Sequence, residues 1–170
     1  ENPFRIMESL MVMIRANEES LTKSKRVRAA RQLNRAQARS GTIVSAKAPA
    51  WLTLSKDRSR FIVDESRAAV VERIFGLYAE GHGTTAIARQ LNADCVPTFG
   101  SARGWSKQYV GQLLHSKAPT GTLEQYEHRE PGTDGPARTK VGEVPGYYPA
   151  IIDKTLAEKV ALRTRAVQPK

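Results

Sequence analysis

Apolar residues recur at helical spacing in the middle of the chain, between residues 65 and 81. Residues three or four apart lie on the same side of a helix, so these apolar positions form one stripe. Asp64 precedes the stretch as a candidate N-cap, and Gly81 is a candidate end. The pattern predicts a buried helix at the centre of the core. Its stripe consists of Val70, Val71, Ile74, Phe75 and Tyr78.

Two shorter helices are predicted at residues 84–92 and 106–115, on either side of a loop that contains Gly, Pro and the triplet Arg-Gly-Trp. Thr84 or Thr85 is the candidate N-cap of the first helix, and Ser106 is that of the second. Such a pair is either a motif that presents its second helix to DNA or a plain helical hairpin. The inward positions of the pair are Ile87, Leu91, Val110, Leu113 and Leu114.

Short runs rich in apolar, β-prone residues lie on either side of these helices. Residues 50–54 and 60–64 are separated by the turn-like SKDRS and predict a β-hairpin. Residues 121–130 and 147–152 predict a second hairpin, with a mobile polar tip at 131–146.

A final amphipathic helix is predicted at residues 154–167, with Asp153 as its N-cap. Its inward positions are Leu156 and Val160, and its outward positions are Arg163 and Arg165. The chain is thus predicted to be mainly α with small antiparallel β-hairpins, an α+β protein.

One long helix is predicted at the start of the chain. Between Pro3 and Ser40 there is no further Pro and no Gly, and Gly41 is a candidate C-terminal stop. A helix of this length would extend roughly 55 Å at about 1.5 Å per residue. Its first half carries an apolar stripe that requires a partner surface. That stripe consists of Phe4, Met7, Met11 and Ile14, widened by Ile6, Leu10 and Met13.

The second half of this helix is basic and contains no acid. The chain has 27 Lys and Arg against 17 Asp and Glu, a formal net charge of +10, and no carboxylate lies between Glu19 and Asp57. Like charges at helical spacing cost a few tenths of a kcal/mol per pair, and a polyanion would remove that repulsion. The alternative is a solvated face, but such faces normally carry Glu as well. Contact with DNA or RNA is therefore favoured. The basic residues are Lys23, Lys25, Arg26, Arg28, Arg31, Arg35 and Arg39, of which the last four share one helical face.

The second short helix is a further candidate for contact with nucleic acid. With its apolar positions turned inward, Lys107, Gln108 and Gln112 point outward near a helix N-terminus, where they could reach base edges and phosphates. Arg103 either enters a groove or stays solvated, and the sequence leaves both open. Trp105 is expected to pack against Val110 or its neighbours rather than to stack on bases.

The sequence predicts no metal site, no disulfide bond and no membrane-spanning segment. Cys95 is the single cysteine, which excludes an internal disulfide and a multi-Cys zinc site, and it is expected to be a small apolar residue in a turn. His82, His115 and His128 are far apart in the sequence, so no metal and no cofactor are expected. No run of about 18 apolar residues is present. Because the chain begins without Met, it is expected to be part of a longer protein.

Four blocks of the sequence resemble the large serine recombinases. VVERIFGLYAEGHGTTAIARQLN, GWSKQYVGQLL and PGYYPAIID resemble the recombinase DNA-binding domain, over about residues 48–160. Residues 2–41 resemble the long helix that follows the catalytic domain in serine resolvases and integrases. The resemblance divides the chain into a long helix (1–41), a linker (42–50), a compact helical DNA-binding domain (51–153) and a C-terminal amphipathic helix (154–170).

The resemblance also implies roles. In that family the first half of the long helix contacts other subunits and the second half crosses the DNA minor groove. Arg26 falls where the family commonly has a DNA-contacting Arg, although the surrounding KSKR departs from the usual Glu-Arg-Thr. Charge, outward helix positions and this resemblance together predict these DNA-contacting residues: Lys23, Arg26, Arg28, Arg31, Arg35, Arg39, Arg103, Ser106, Lys107, Gln108 and Gln112.

The family's nucleophilic serine lies upstream of this helix and its zinc ribbon lies downstream. The resemblance therefore implies a fragment that binds double-stranded DNA and holds no catalytic residue. The whole protein is expected to integrate, excise or invert DNA as a dimer to tetramer, in the cytoplasm and at the nucleoid of a bacterium or in a phage system.

Three other interpretations remain. A helix-turn-helix repressor would use the long helix only to dimerise, yet dimer helices usually pair opposite charges. An RNA-binding module would be expected to expose aromatic side chains, and only 6% of residues are aromatic. A purely structural protein would show no salt-sensitive binding to either nucleic acid.

Overall fold

The structure is a computed structural model that describes residues 3–129, 134 and 136–167. The chain divides into two compact units, Glu1–Val44 and Ser45–Lys170. The described residues form α-helices and two antiparallel hairpins, as the sequence predicts. The elements are α1 (Pro3–Arg39), β1 (Leu52–Leu54), β2 (Phe61–Val63), α2 (Glu65–Ala79), α3 (Thr84–Ala93), α4 (Lys107–His115), β3 (Leu123–His128), β4 (Arg138–Val144) and α5 (Lys154–Val167), with a short 3-10 helix at Ala118–Thr120.

The first unit is built on the single helix α1, 37 residues long. Gly41 ends it with a φ of 85°, a left-handed conformation that costs glycine little. The backbone N–H of Thr42 donates to the carbonyl of Gln37 at 3.1 Å, which closes a Schellman cap. Residues 4–34 are all exposed, so the predicted apolar stripe lies on the surface of this unit.

The second unit has α2 at its centre, as predicted, because α2 packs against α3, α4 and α5. Asp64 caps α2, since its carboxylate accepts from the backbone N–H of Arg67 at 3.2 Å. A hydrogen bond from the Ser66 hydroxyl, together with that from Arg67, lowers the pKa of Asp64. The buried face of α2 consists of Ala68, Val71, Ile74, Phe75 and Tyr78.

Helix α5 has the predicted bounds, but the prediction that Arg163 points outward is wrong. Its guanidinium donates to the backbone carbonyls of Tyr78 and Gly81 at the end of α2. It also lies 4.7 Å from the ring centroid of Tyr78. The last carbonyls of a helix lack intrahelical donors and carry partial negative charge, so they attract a cation from a neighbouring helix. Val160 is buried, as predicted.

Replacing Arg163 with Ala is expected to destabilise the second unit by about 1.5–3 kcal/mol, the usual range for hydrogen bonds to a charged group. Urea denaturation followed by circular dichroism measures this change. Arg165→Ala is the matched control, because Arg165 lies exposed on the same helix, and its effect should stay within about 0.5 kcal/mol. Equal effects of the two variants would contradict the assignment of Arg163 as the link between α5 and α2.

The start of α3 differs from the expectation. The N-cap is Gly83, without a side-chain cap, rather than Thr84 or Thr85, and Thr84 is already the first helical residue. At the other end, Cys95 lies in a turn, as predicted, and is exposed, with a φ of 53°. It takes the left-handed position of a Schellman cap, in which the N–H of Val96 donates to the carbonyl of Leu91 at 2.9 Å.

The two hairpins are two-stranded and antiparallel. In the first, Leu52 pairs with Val63 and Leu54 with Phe61, close to the predicted strands. In the second, Leu123 pairs with Val144, and a bulge separates Gln125 from the next pair.

The predicted second strand at residues 147–152 is wrong, because β4 lies within the segment expected to be a polar tip. Gly146 turns the chain with a φ of 71°, and Pro149 has no N–H to donate to a ladder. Tyr148 instead donates its N–H to the carbonyl of Gly121 at 3.0 Å. Residue 130 of the predicted first strand and residues 131–133 and 135 of the predicted tip lie outside the described residues.

Candidate nucleic-acid interface

The basic half of α1 is the first candidate surface. Because α1 is continuous to Arg39, Arg28, Arg31, Arg35 and Arg39 share one helical face. All are exposed except Arg35, which is partly buried. Within the described chain the side chains of Lys23, Arg26 and Arg31 have no carboxylate partner. The sequence of this half, residues 20–39, contains no Asp or Glu, so its net charge is positive.

The N-terminal half of α4 is the second candidate surface, in the other unit. Ser106 is the N-cap, as predicted, and its hydroxyl accepts from the backbone N–H of Tyr109 at 3.2 Å. Lys107, Gln108 and Gln112 are exposed. The first turn contains no acid, so its free N–H groups and Lys107 form a positive helix end. The opposite face, buried as predicted, consists of Val110, Leu113 and Leu114.

Residues 96–105, here called the arm, connect α3 to this surface. Trp105 anchors the arm, because its side chain is 4% exposed. Its ring lies 5.0 Å from that of Phe99 and 5.7 Å from that of Tyr109, a neighbour of Val110. The prediction that Trp105 packs rather than stacks on bases is thus confirmed. Arg103 is exposed near the end of the arm.

Arg67 is a residue near the arm that the sequence did not single out. Its guanidinium donates to the carbonyl of Ala50 at 2.7 Å, pairs with Asp64 at 3.3 Å and lies 5.9 Å from the ring centroid of Phe99. Burial raises the pKa of Tyr109, and the nearby positive charge of Arg67 opposes that shift. The phenol therefore stays neutral at physiological pH. The i, i+3 spacing from Asp64 to Arg67 is a signal that could have identified the ion pair.

A third basic segment is the turn between β1 and β2. Lys56, Arg58 and Arg60 are exposed, and within the described chain their side chains form no ion pair. Hydrogen bonds from Ser55 and Ser59 lower the pKa of Asp57, the one acid among them, to about 2. The turn thus has three cations and one carboxylate that stays ionised.

The predicted residues therefore fall into two groups, and each group belongs to one unit. One group lies on α1: Lys23, Arg26, Arg28, Arg31, Arg35 and Arg39. In the other group, Arg103 lies on the arm, Ser106 is the N-cap of α4, and Lys107, Gln108 and Gln112 lie on α4. Among the described residues, no three His, Cys, Asp or Glu side chains are placed to hold a metal ion. No helix in the described part is long and apolar enough to cross a membrane.

Comparison with known proteins identifies a family and a similar protein. The family model described as Recombinase matches residues 65–166, a range that contains the arm, all of α4 and most of α5. The protein named Uncharacterized protein YbcK, from Escherichia coli (strain K12), is 35% identical over 157 residues. The match takes in 91% of this chain but 29% of that protein, so the chain spans about three tenths of its length. No solved structure matches. The chain belongs to the Recombinase family, and its function is related to recombination.

Proposed function

We propose that this chain is the DNA-binding part of a site-specific serine recombinase and that it docks on one half of a recombination site. The observation that supports this most strongly is the arginine row of α1, from Arg28 to Arg39, on an exposed helical face. Residues 20–56 contain no carboxylate. Like charges at this spacing repel and destabilise the helix, and a bound polyanion would neutralise them.

The two surfaces have different tasks in this proposal. The basic half of α1 neutralises phosphates, which supplies affinity that does not depend on sequence. The first turns of α4 supply base contacts, because a glutamine amide can form two hydrogen bonds with the edge of adenine. Gln108 and Gln112 are assigned this role. Lys107 and Arg103 contact phosphates or guanine at the same groove.

The strand exchange itself is assigned to another part of a longer protein. By resemblance, a serine hydroxyl there attacks a DNA phosphorus, forms a phosphodiester to the protein and releases a deoxyribose hydroxyl. After subunit rotation, the hydroxyl of the other half-site attacks that ester, rejoins the strand and restores the serine. This chain contributes the alignment of the half-site, and no residue of α4 or the arm is assigned a covalent role.

The apolar stripe of α1 is assigned to contacts between subunits of the whole protein. Phe4 is 77% exposed and Met11 66% exposed, and side chains of this size lose about 1.5–3 kcal/mol each when they remain in water rather than in a core. A dimer to tetramer of the whole protein would cover them.

Replacing Gln108 with Ala is expected to reduce the preference for particular base pairs by about 1–3 kcal/mol. Selection of duplexes from a random-sequence pool by the unmodified chain supplies the preferred site. The variant should then bind that site more weakly, with affinity for random duplex little changed. Arg31→Gln is the comparison, because it should weaken both duplexes alike. An equal loss by Gln108→Ala on both would show that α4 does not read bases.

Competition between nucleic acids tests the proposed function itself. We expect a labelled random-sequence DNA duplex to bind at low salt and to be displaced more readily by unlabelled duplex DNA than by single-stranded or duplex RNA of equal length. Preferential displacement by RNA would favour the RNA-binding interpretation. Absence of binding to every nucleic acid at low salt would overturn the proposal.

A further inference from the structure

The arm is tied to α3 by a side chain that the sequence analysis did not single out. The amide of Asn92, on the last turn of α3, forms two hydrogen bonds with the backbone of Trp105, thirteen residues away. Its Nδ2 donates to the carbonyl of Trp105 at 2.9 Å. Its Oδ1 accepts from the N–H of Trp105 at 2.7 Å. A planar amide bonded to both backbone groups of one residue fixes the position and the direction of the chain there.

A side chain at Gly104 would collide with the amide of Asn92 unless that amide moved. A Cβ added at Gly104 would lie 2.9 Å from the Oδ1 of Asn92 and 3.4 Å from its carboxamide carbon. Real Cβ atoms do not approach other atoms to 2.9 Å, so Gly104 and Asn92 depend on each other. The Arg-Gly-Trp triplet therefore has a structural reason: glycine allows the contact, and tryptophan supplies the anchor.

The arm also closes on itself. The indole N–H of Trp105 donates to the carbonyl of Val96 at 3.0 Å, which joins the two ends of the arm. The hydroxyl of Thr98 donates to the carbonyl of Ala102 at 2.7 Å. Residues 100–104 are exposed and, apart from Arg103, small. The arm is thus a closed loop with fixed ends that presents one cation.

We propose that Asn92 is a positioning residue for DNA recognition, which sets the direction of the arm and of the first turn of α4; this rests on the proposed function. Trp105 immediately precedes Ser106, the N-cap, so the amide of Asn92 fixes the backbone from which α4 begins. Arg103 lies two residues before the same point. One side chain therefore holds both the arginine and the α4 residues in a single arrangement before DNA arrives. A preorganised site loses less conformational entropy on binding than a flexible one.

Two variants test the proposal without touching a proposed DNA contact. Asn92→Ala removes both hydrogen bonds, and Gly104→Ala disturbs the same contact from the other side. Thr85→Ala, on the exposed face of α3, is the control. Each variant is compared with the unmodified chain on a duplex selected from a random pool and on random duplex, well below its melting temperature. Circular dichroism first measures the folded fraction.

Asn92→Ala and Gly104→Ala should each reduce the ratio of affinity for the selected duplex to affinity for random duplex about tenfold or more. A loss of this size corresponds to about one correct base contact. The slope of affinity against salt on random duplex should stay unchanged, because the phosphate contacts of α1 remain. The base pairs at which these variants lose discrimination should be those at which Arg103→Ala and Gln108→Ala also lose it. Asn92→Ala in the Arg103→Ala, Gln108→Ala background should then add little.

Preserved preference in both variants would overturn the proposal. The proposal would also be overturned if each variant lost affinity equally for both duplexes, in proportion to its loss of folded protein. Asn92 would then act on stability alone. Failure of the unmodified chain to bind any duplex is a separate result, which would overturn the proposed function and this inference with it.

Discussion

Raising the salt concentration from about 50 to about 200 mM is expected to weaken binding of this chain to duplex DNA about 10³–10⁴-fold. The basic half of α1, together with the positive end of α4, can neutralise roughly five to eight phosphates, and each releases condensed counterions. Log affinity should therefore fall against log salt with a slope of about −5 to −7. Fluorescence anisotropy of a labelled random-sequence duplex measures the slope directly.

Single substitutions assign this slope to the helix. Arg26→Gln and Arg31→Gln should each make the slope less negative by about one, because each removes one phosphate contact. Arg165→Gln, on α5, serves as a control for the loss of one positive charge and should leave the slope unchanged. A slope close to zero for the unmodified chain would rule out the phosphate-binding role of α1.

Replacing Trp105 with Ala is expected to cost about 3–5 kcal/mol in the free energy of unfolding. Its indole is buried between Phe99 and Tyr109, and its N–H is bonded to the carbonyl of Val96. Truncation would leave a large cavity and an unpaired carbonyl in the arm. Urea denaturation followed by circular dichroism gives the value.

The chain offers a matched control in its other tryptophan. The indole N–H of Trp51 is buried and has no hydrogen-bond partner among the described residues. Trp51→Phe therefore removes an unsatisfied donor, whereas Trp105→Phe removes a satisfied one and leaves its acceptor unpaired. Trp105→Phe should cost about 1–3 kcal/mol more than Trp51→Phe. The reverse order would mean that the Trp105–Val96 hydrogen bond does not stabilise the arm.

Local patterns predicted most of the helices. The bounds of α5 follow from an acidic cap and an amphipathic stripe, and α2 follows from its apolar face, because both signals act within a few residues. The end of α1 at Gly41 is likewise predicted by the sequence. These features depend on near neighbours in sequence, which periodicity records.

The errors concern contacts between distant segments. Arg163 looked like a solvated helix residue, but the carbonyls that attract it lie on α2, about eighty residues earlier. Residues 147–152 are apolar enough for a strand, yet the backbone pairing of β3 was taken by residues 138–144. Periodicity gives no information on which partner a strand or a cation finds in three dimensions.

The candidate site shows the same division. Charge alone identified the basic half of α1, and helical spacing separated Lys107, Gln108 and Gln112 from the buried face of α4. Sequence analysis does not identify Asn92 and Arg67, because no sequence pattern predicts that a single polar side chain will bond to a distant backbone group. Only the three-dimensional fold brings these side chains to the arm.

Hydroxyl-radical footprinting tests the central claim that α1 and α4 contact the same duplex. The DNA is a duplex selected from a random pool, and the comparison is a variant in which the six proposed basic contacts of α1 are glutamine. The account predicts a protected tract with the unmodified chain that becomes shorter, without disappearing, with the variant. Identical protection by both proteins, or no protection by the unmodified chain at low salt, would contradict it.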